Sequence, residues 1–241
     1  MRTAVFVQVR LGSQRLPFKA LLPLAGGSVI QHVMRAVAGV PAEEHALLTD
    51  AASAAALRPL AGHEGFRLFV GSPDDVLARF CAACREYSVD RVVRVTGDNP
   101  LTSAALAAKI LSIHGDRGAD LSHYLDIPWG TGVEVIQADA LFTAERDGVD
   151  AAEREHITTF HYRNRRRFTI VEEQPPADVR LPQARVTVDT REDYEQVQRI
   201  FAELYVGRPI EAPEVVRWFS ARREGAGSSS AQAEGNAGGS T

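Results

Sequence analysis

The stretch Ala4-Val-Phe-Val-Gln-Val-Arg-Leu-Gly-Ser-Gln-Arg-Leu-Pro-Phe-Lys-Ala-Leu-Leu-Pro-Leu24 decides the fold. It opens with an apolar run, Ala4 to Val9, which is typical of a fully buried parallel strand. A short loop with three cations follows: Arg10, Arg15 and Lys19. In open α/β sheets, ligands bind beyond the carboxyl ends of the strands. The stretch therefore predicts an α/β protein whose first loop holds an anion.

The chemistry of this loop favours phosphate as the anion. Gly12 lets the backbone approach a ligand closely. Arg15 and Lys19 can reach phosphate oxygens, the first as a planar fork and the second as a compact charge. The loop is not a familiar phosphate motif, because G-x-x-x-x-G-K-[ST] is absent and one glycine cannot form G-x-G-x-x-G. A solvated basic turn is the alternative interpretation.

The composition is that of a globular protein. The chain has 241 residues, 45% hydrophobic residues and a net charge of −4, enough length to bury about 70–75% of the unfolded surface. We expect one domain over 1–222 and a disordered tail over 223–241, where glycine, serine and alanine dominate. The mild acidity argues against nucleic-acid binding. Neither a signal peptide nor a membrane-spanning run is predicted, so we expect a cytoplasmic protein.

Strands and helices alternate along the chain, which predicts a mainly parallel sheet. After the first strand, further strands are predicted at 45–49, 66–70, 91–95, 120–124, 133–137 and 184–189. Helices are predicted from Ser28 to Gly39, to about 61 after the second strand, at 72–87, from 104, from 138, at 152–160, from 190 and at 213–222. Cys81 and Cys84 are predicted to be structural thiols, because a zinc site needs more ligands than this pair.

Asp98 is the most informative residue in the middle of the chain. It follows the predicted strand 91–95 and stands just before Asn99 and Pro100, where the proline stops the backbone. Mg²⁺ prefers hard oxygen ligands and is usually held by one or two carboxylates together with phosphates. The alternative is that Asp98 caps the following helix, although Ser103 is better placed for that role.

Four segments, in order, carry a resemblance to a known family. The stretch from Val7 to Lys19 is similar to the signature Q-x-R-x-G-S-x-R-L-P-G-K of the sugar cytidylyltransferases, with Phe18 where that family usually has glycine. The other segments are 71–79, 95–101 and 184–197. The resemblance is closest to the spore-coat polysaccharide type and more distant to the synthetases that make CMP-Kdo and CMP-sialic acid.

The resemblance implies a fold and a reaction. The fold is a Rossmann-like α/β/α sandwich of the nucleotide-diphospho-sugar transferase type, with a small dimerisation and sugar-binding annex at about 124–170. The reaction joins CTP to a sugar or sugar acid and releases pyrophosphate, for surface polysaccharide biosynthesis. A homodimer is expected, and Ile157, Phe160 and Tyr162 are apolar for a peripheral segment, which favours it.

The resemblance also implies the roles of individual residues. Catalysis would rest on Arg10, Arg15 and Lys19, and Mg²⁺ would be held by Asp98 and Asp189. The residues expected to contact the nucleotide are Gln8, Arg10, Leu11, Gly12, Ser13, Arg15, Lys19 and Asp98. Those expected to contact the sugar are Glu134, Glu155 and His156, although a structural hydrogen bond explains His156 nearly as well.

Two other functions remain open from the sequence. A glycosyltransferase of the same fold would need a D-x-D metal motif, and none stands near a predicted strand end. A non-catalytic nucleotide-binding protein is permitted by the departure at Phe18, because an aromatic residue replaces a flexible joint of the loop.

Overall fold

A seven-stranded sheet forms the centre of the computed structural model, which describes residues 1–234. Two further short strands pair as a separate hairpin. In chain order the strands are β1 (Thr3–Gln8), β2 (Pro23–Leu24), β3 (Gly27–Ser28), β4 (Glu44–Thr49), β5 (Arg67–Val70), β6 (Arg91–Thr96), β7 (Leu121–Tyr124), β8 (Glu134–Gln137) and β9 (Ile170–Glu173).

Helices connect most of the strands and cover both faces of the sheet. In chain order they are α1 (Val29–Val37), α2 (Ala51–His63), α3 (Val76–Tyr87), α4 (Ala104–Asp116), α5 (Ala138–Asp147), α6 (Ala151–Glu155), α7 (Thr159–Arg163), α8 (Arg191–Leu204) and α9 (Ala212–Glu234). Within residues 1–234, no helix combines the length and apolar character that crossing a membrane requires.

The strand order of the large sheet is β5-β4-β1-β6-β8-β7-β9. The first four of these strands are parallel, whereas β8 runs antiparallel to both β6 and β7. Gln8 lies opposite Leu48 on one side and Thr96 on the other, so three strands end level. The residues that follow them therefore emerge at one edge, and the predicted mainly parallel sheet is confirmed.

The side chains of β1 alternate between two apolar clusters. Val5 and Val7 face a cluster that includes residues of α1, α2 and α4, whereas Ala4 and Phe6 face a cluster that includes residues of α3 and α5. All four side chains are fully buried, as expected for a parallel strand covered on both faces. The result is the predicted three-layer α/β/α sandwich.

Three predicted elements differ from the structure near the cavity described below. Helix α3 starts at Val76 instead of Ser72, because the Asp75 carboxylate accepts the N–H of Ala78 and caps the helix there. The Ser72 hydroxyl instead accepts the N–H of Asp75 in a turn. The predicted helix 152–160 is divided into α6 and α7, with extended backbone at His156 between them.

The third difference concerns the segment 184–189, which was expected to be a strand and is not part of the sheet. It is extended and held by single backbone bonds: Val186 donates to the Trp129 carbonyl at 2.7 Å and Val188 donates to the Asp98 carbonyl at 2.8 Å. The segment cannot join the sheet beside β6, because β1 and β8 already pair with the two edges of β6.

The C-terminal helix is longer than the sequence pattern predicts. Helix α9 runs from Ala212 to Glu234, so the predicted disordered tail overlaps its last part, and 235–241 lie outside the described residues. Extending a helix whose first turns are already formed costs less per residue than starting one, so the backbone continues past Arg223 although Gly225 and Gly227 are poor helix formers.

The apolar residues of the predicted annex are largely internal. Ile157 is fully buried and Phe160 is 5% exposed, and both belong to the cluster beneath α3 and α5. Tyr162 packs partly buried against the same cluster. These side chains fill the protein's own core, so they do not form the exposed apolar face from which the dimer was inferred.

Phe18 adopts the backbone conformation of a glycine. Its φ of 57° and ψ of 22° lie in the left-handed region, and its ring is 59% exposed. Left-handed backbone costs a residue with a Cβ roughly 1–2 kcal/mol. The glycine that the resembling family usually has at this position therefore matches the conformation that the loop requires.

We predict that Phe18→Gly is more stable than Phe18→Ala by about 1 kcal/mol, since only glycine relieves the left-handed strain at this site. Chemical denaturation of the two variants measures the difference directly. The matched control is Ala55→Gly on the exposed side of α2, which should lower stability by about 0.5–1 kcal/mol. A Phe18→Ala variant more stable than Phe18→Gly would contradict the left-handed conformation.

Candidate functional site

A cavity of about 550 Å³ opens at the carboxyl edge of β1 and β6. It is lined by the loop that follows β1, by the ends of β1 and β6, by the first turn of α3 and by residues between α6 and α7. The lining residues are Gln8, Val9, Arg10, Gly12, Ser13, Gln14, Arg15, Lys19, Ala20, Val76, Arg79, Thr96, Gly97, Asp98, Glu155, His156 and Asp189.

Most of the predicted site residues line this cavity, and two do not. The Leu11 side chain is buried and its N–H donates to the Ser53 hydroxyl at 3.0 Å, which anchors the loop. Glu134 forms an ion pair with Arg94, whose Nε donates to the Gln8 side chain at 3.0 Å. Glu134 thus lies behind the cavity and orients Gln8 through Arg94.

The Lys19 ammonium joins the two predicted metal ligands. Its Nζ lies 2.5 Å from Oδ2 of Asp98 and 2.7 Å from Oδ1 of Asp189. The Lys19 and Asp189 side chains are mostly buried, and that of Asp98 is 23% exposed. Two carboxylates so close repel one another unless a cation lies between them, and Lys19 supplies that cation.

Asp189 carries the densest set of contacts in the site. Besides Lys19, it is paired with Arg185 at 2.6 Å and with Arg15 at 3.3 Å. Burial by itself raises the pKa of Asp189, but the hydrogen bond and charge of Lys19, with smaller effects of Arg185 and Arg15, lower it below its usual range. The carboxylate is therefore ionised at neutral pH and available to a cation.

Backbone bonds fix both carboxylates in place. The Gly97 N–H donates to the Gln8 carbonyl at 2.8 Å, and a Cβ on Gly97 would stand 2.7 Å from that of Val9. Only glycine allows this approach of β6 to β1, which directs Asp98 into the cavity. On the other side, Thr190 and Asp193 form a capping box at the start of α8, and Asp193 also accepts the N–H of Asp189.

The loop after β1 presents donors that the protein leaves free. Within residues 1–223, the N–H groups of Gly12, Ser13 and Gln14 have no acceptor. Arg10 and Arg15 each hold a carboxylate only at 3.3 Å, and their side chains are 48% and 68% exposed. Such unpaired donors and exposed cations suit a multiply charged anion.

The donor set of Asp98 and Asp189 fits a divalent cation. Two carboxylates face one position that a positive charge occupies, and hard oxygen ligands are those that Mg²⁺ prefers. No cluster of three potential metal ligands occurs among the described residues, so phosphates and water would have to complete the coordination. This arrangement is the usual one for Mg²⁺ bound with a nucleotide.

Arg79 is the main cavity residue that sequence reasoning missed as a ligand. It lies on the first turn of α3, is 2% exposed and lines the cavity. Arg79 is the last residue of the segment 71–79 that resembles the family, and this position could have indicated a role in the site. The sequence alone, however, does not show that a charged side chain is buried. The nearby thiols are buried, as predicted, and burial raises the pKa of Cys84 to about 12.

Comparison with known sequences identifies similar proteins over most of the chain. A sequence model of the cytidylyltransferase family matches residues 4–211. The chain is 29% identical to the spore coat polysaccharide biosynthesis protein SpsF of Bacillus subtilis over 217 residues, which cover 87% of this chain and 90% of that protein. It is 31% identical to an uncharacterized protein of Methanocaldococcus jannaschii, covering 80% and 81% of the two chains.

Comparison with solved structures gives the same fold. A cytidylyltransferase from Leptospira borgpetersenii superposes with a TM-score of 0.85 at 22% identity, covering 93% of this chain and 96% of that one. A CMP:2-keto-3-deoxy-manno-octonic acid synthetase complexed with CTP superposes with a TM-score of 0.68 at 16% identity, covering 84% and 99%. These likenesses confirm the predicted Rossmann-like sandwich.

We predict that Gly12→Ala weakens anion binding without changing stability. A Cβ on Gly12 would meet no protein atom within 4 Å, so it would extend into the space where an anion meets the free N–H groups. Overpacking of about 1–3 kcal/mol corresponds to a loss of about 5- to 150-fold in affinity for pyrophosphate, measured by titration calorimetry.

The matched control for this prediction is Gly39→Ala, which also adds a Cβ in open space but lies outside the cavity. Both variants should melt at the temperature of the natural protein. Unchanged pyrophosphate affinity in Gly12→Ala would show that the anion does not lie against this part of the loop.

Proposed function

The chain belongs to the cytidylyltransferase family, and on this premise we propose that it transfers the CMP group of CTP to a sugar or sugar acid. In the reaction a sugar hydroxyl oxygen forms a bond to the α-phosphorus, the bond from that phosphorus to the bridging oxygen breaks, and pyrophosphate leaves. The hydroxyl proton is released to solvent. The observation that carries the proposal is one cavity that unites the loop cations with Asp98 and Asp189.

The loop would hold the triphosphate. Phosphoryl transfer depends mainly on positioning and on neutralising charge, because the protein takes little part in the covalent chemistry. The free N–H groups of the loop, with Arg10 and Arg15, can bind the β- and γ-phosphates and stabilise pyrophosphate as it leaves. Glu155 and His156 line the same cavity and are proposed to contact the sugar.

Asp98 and Asp189 are proposed to hold Mg²⁺. Once bound, the ion would polarise the α-phosphate and lower the pKa of the attacking hydroxyl. Lys19 has two roles in this proposal: it pairs with both carboxylates, and its ammonium can turn to the phosphates when a second cation reaches the carboxylates. A compact ammonium on a flexible stem is suited to such an exchange of partners.

We expect the natural protein to release pyrophosphate from CTP in the presence of a sugar acceptor, and Lys19→Ala to lower kcat by about 10²–10³. The KM for the sugar should change little, because Lys19 acts on charge that develops in the transition state. An assay of pyrophosphate release measures both quantities. It also separates this function from a glycosyltransferase or a passive nucleotide-binding protein, since neither would release pyrophosphate from free CTP.

The control is Lys109→Ala, which removes an exposed lysine of α4 outside the cavity. It should keep the natural kcat. A Lys19→Ala protein with a near-normal rate of pyrophosphate release would show that the loop after β1 is not the phosphate site, and the proposed function would have to be withdrawn.

Metal binding can be tested without turnover by the electron paramagnetic resonance of Mn²⁺, which replaces Mg²⁺ at oxygen sites. Asp98→Asn and Asp189→Asn should each weaken Mn²⁺ binding by at least about tenfold, because each removes a charged ligand. Lys19→Met should instead strengthen Mn²⁺ binding, since its ammonium no longer competes for the carboxylates.

Asp178→Asn provides the control, because this exposed carboxylate lies outside the cavity. Its Mn²⁺ affinity should equal that of the natural protein. If both cavity aspartates can be replaced without loss of Mn²⁺ binding, the metal lies elsewhere.

We also propose a homodimer and a cytoplasmic location, as the sequence predicts. Support for the dimer is the resemblance of the segment 132–162 to a dimerisation region, together with Trp129, which is 67% exposed beside it. Light scattering at micromolar concentration should give twice the chain mass of 26.2 kDa, and Trp129→Ser should lower that mass if this loop lies in the interface. A monomer in the natural protein would contradict the proposal.

A further inference from the structure

Arg79 is a buried cation without an anionic partner. Its side chain is 2% exposed, and no carboxylate among residues 1–223, whose side chains the structure describes, forms an ion pair with it. Arginine is almost never fully buried unless it is paired, because an isolated charge loses its hydration on burial. Burial accordingly lowers the pKa of Arg79. The protein therefore keeps a charge here that its own fold does not satisfy.

The two acids nearest to Arg79 are committed to other contacts. Asp50 caps α2 by accepting the N–H of Ser53 at 2.7 Å. Asp75 caps α3 by accepting the N–H of Ala78 at 2.8 Å and pairs with Arg154 at 2.8 Å. Neither carboxylate forms an ion pair with Arg79, so a structural ion pair does not explain the burial of this arginine.

One edge of the Arg79 guanidinium is free. An Nη nitrogen donates to the Ser72 carbonyl at 2.8 Å, whereas neither the buried Nε nor the other Nη has an acceptor among residues 1–223. The Nε and the second Nη form one edge of the planar fork and donate in parallel. The matching ligand presents two neighbouring acceptors, and the cavity that Arg79 lines is where such a ligand would lie.

The position of Arg79 separates it from the carboxylates. A Cβ on Gly71, just after β5, would stand 2.7 Å from the Arg79 Cγ, so Arg79 lies at the end of β5. Asp98 follows β6, and the strand order places β4 and β1 between these two ends. A nucleotide with its phosphates on the loop after β1 and its reacting end near Asp98 therefore reaches Arg79 with its base.

The surroundings of Arg79 suit a base better than another phosphate. Val76 lies one helical turn before Arg79, is 5% exposed and lines the same cavity, so it offers an apolar contact to a flat ring. Cytosine presents two neighbouring acceptors, N3 and O2, whereas the N3 of uracil carries a hydrogen and is a donor. A guanidinium edge can therefore donate two parallel hydrogen bonds to cytosine, whereas in uracil one of its N–H groups would face the N3–H donor.

We propose that Arg79 reads the cytosine ring of the nucleotide through N3 and O2 and selects CTP over UTP, an inference that rests on the proposed function. The test is calorimetric binding of CMP and UMP, which needs no turnover. The natural protein should prefer CMP, and Arg79→Gln should lower CMP affinity about 10- to 100-fold while UMP affinity changes little. Arg79→Lys should lose the preference as well, because an ammonium lacks the fork.

Arg15→Met, tested with CTP and UTP, is the matched comparison, since Arg15 lines the cavity and is proposed to bind the β- and γ-phosphates that both nucleotides carry. It should weaken CTP and UTP alike and keep their ratio. A natural protein that binds CMP and UMP equally, or Arg79 variants that keep the natural ratio, would overturn the inference while leaving the proposed function intact. If pyrophosphate release fails but the CMP preference is lost in the Arg79 variants, the proposed function alone is overturned.

Discussion

The contact of one ammonium with two carboxylates is the interaction on which the site depends. Lys19 comes from the loop after β1, Asp98 from the end of β6 and Asp189 from the segment before α8. Without a cation between them, the two acids would repel one another across the cavity. Because these groups are mostly shielded from water, salt screens their attraction less than it screens an exposed ion pair. Lys19 therefore balances the charge of two acids whose positions are set by backbone bonds.

The cavity has two chemically different ends because of the order of the strands. Asp98 follows β6 and is joined to Asp189 by Lys19, whereas the unpaired guanidinium of Arg79 stands at the end of β5, with the loop after β1 between these two ends. Two glycines make this layout possible. Gly97 lets β6 approach Val9, and Gly71 leaves room for the stem of Arg79. Each end of the cavity therefore depends on a glycine, because a side chain at that position would collide with its neighbours.

Local features of the site could be predicted from the sequence, whereas features that depend on distant pairing could not. The loop cations and Asp98 follow strands whose apolar runs are plain, so their common edge was predictable. Asp189 was placed at the site through the family resemblance, whereas the strand expected over 184–189 is not formed, because Val188 bonds to the Asp98 carbonyl outside the sheet. Glu134 was expected to contact the sugar, but in the structure it pairs with Arg94. Arg94 is on another strand, so no local sequence pattern shows this contact. The left-handed backbone of Phe18 could not be predicted from the residue itself, because phenylalanine rarely adopts that conformation.

The separation of the site residues along the chain has a consequence for synthesis. The two carboxylates that Lys19 joins lie 79 and 170 positions after it. A ribosome extends the chain from the N-terminus, and domains begin to fold as they emerge. Synthesis completes the strands β1, β4, β5 and β6 well before it reaches residue 189. A growing chain can therefore contain a sheet and the basic loop while it still lacks the second carboxylate. Contacts between such distant positions also form late in folding, because a long loop must close first. The candidate site is therefore complete only when nearly the whole domain has been made, and a chain cut short before residue 189 would contain every strand of the sheet but lack the second carboxylate that pairs with Lys19.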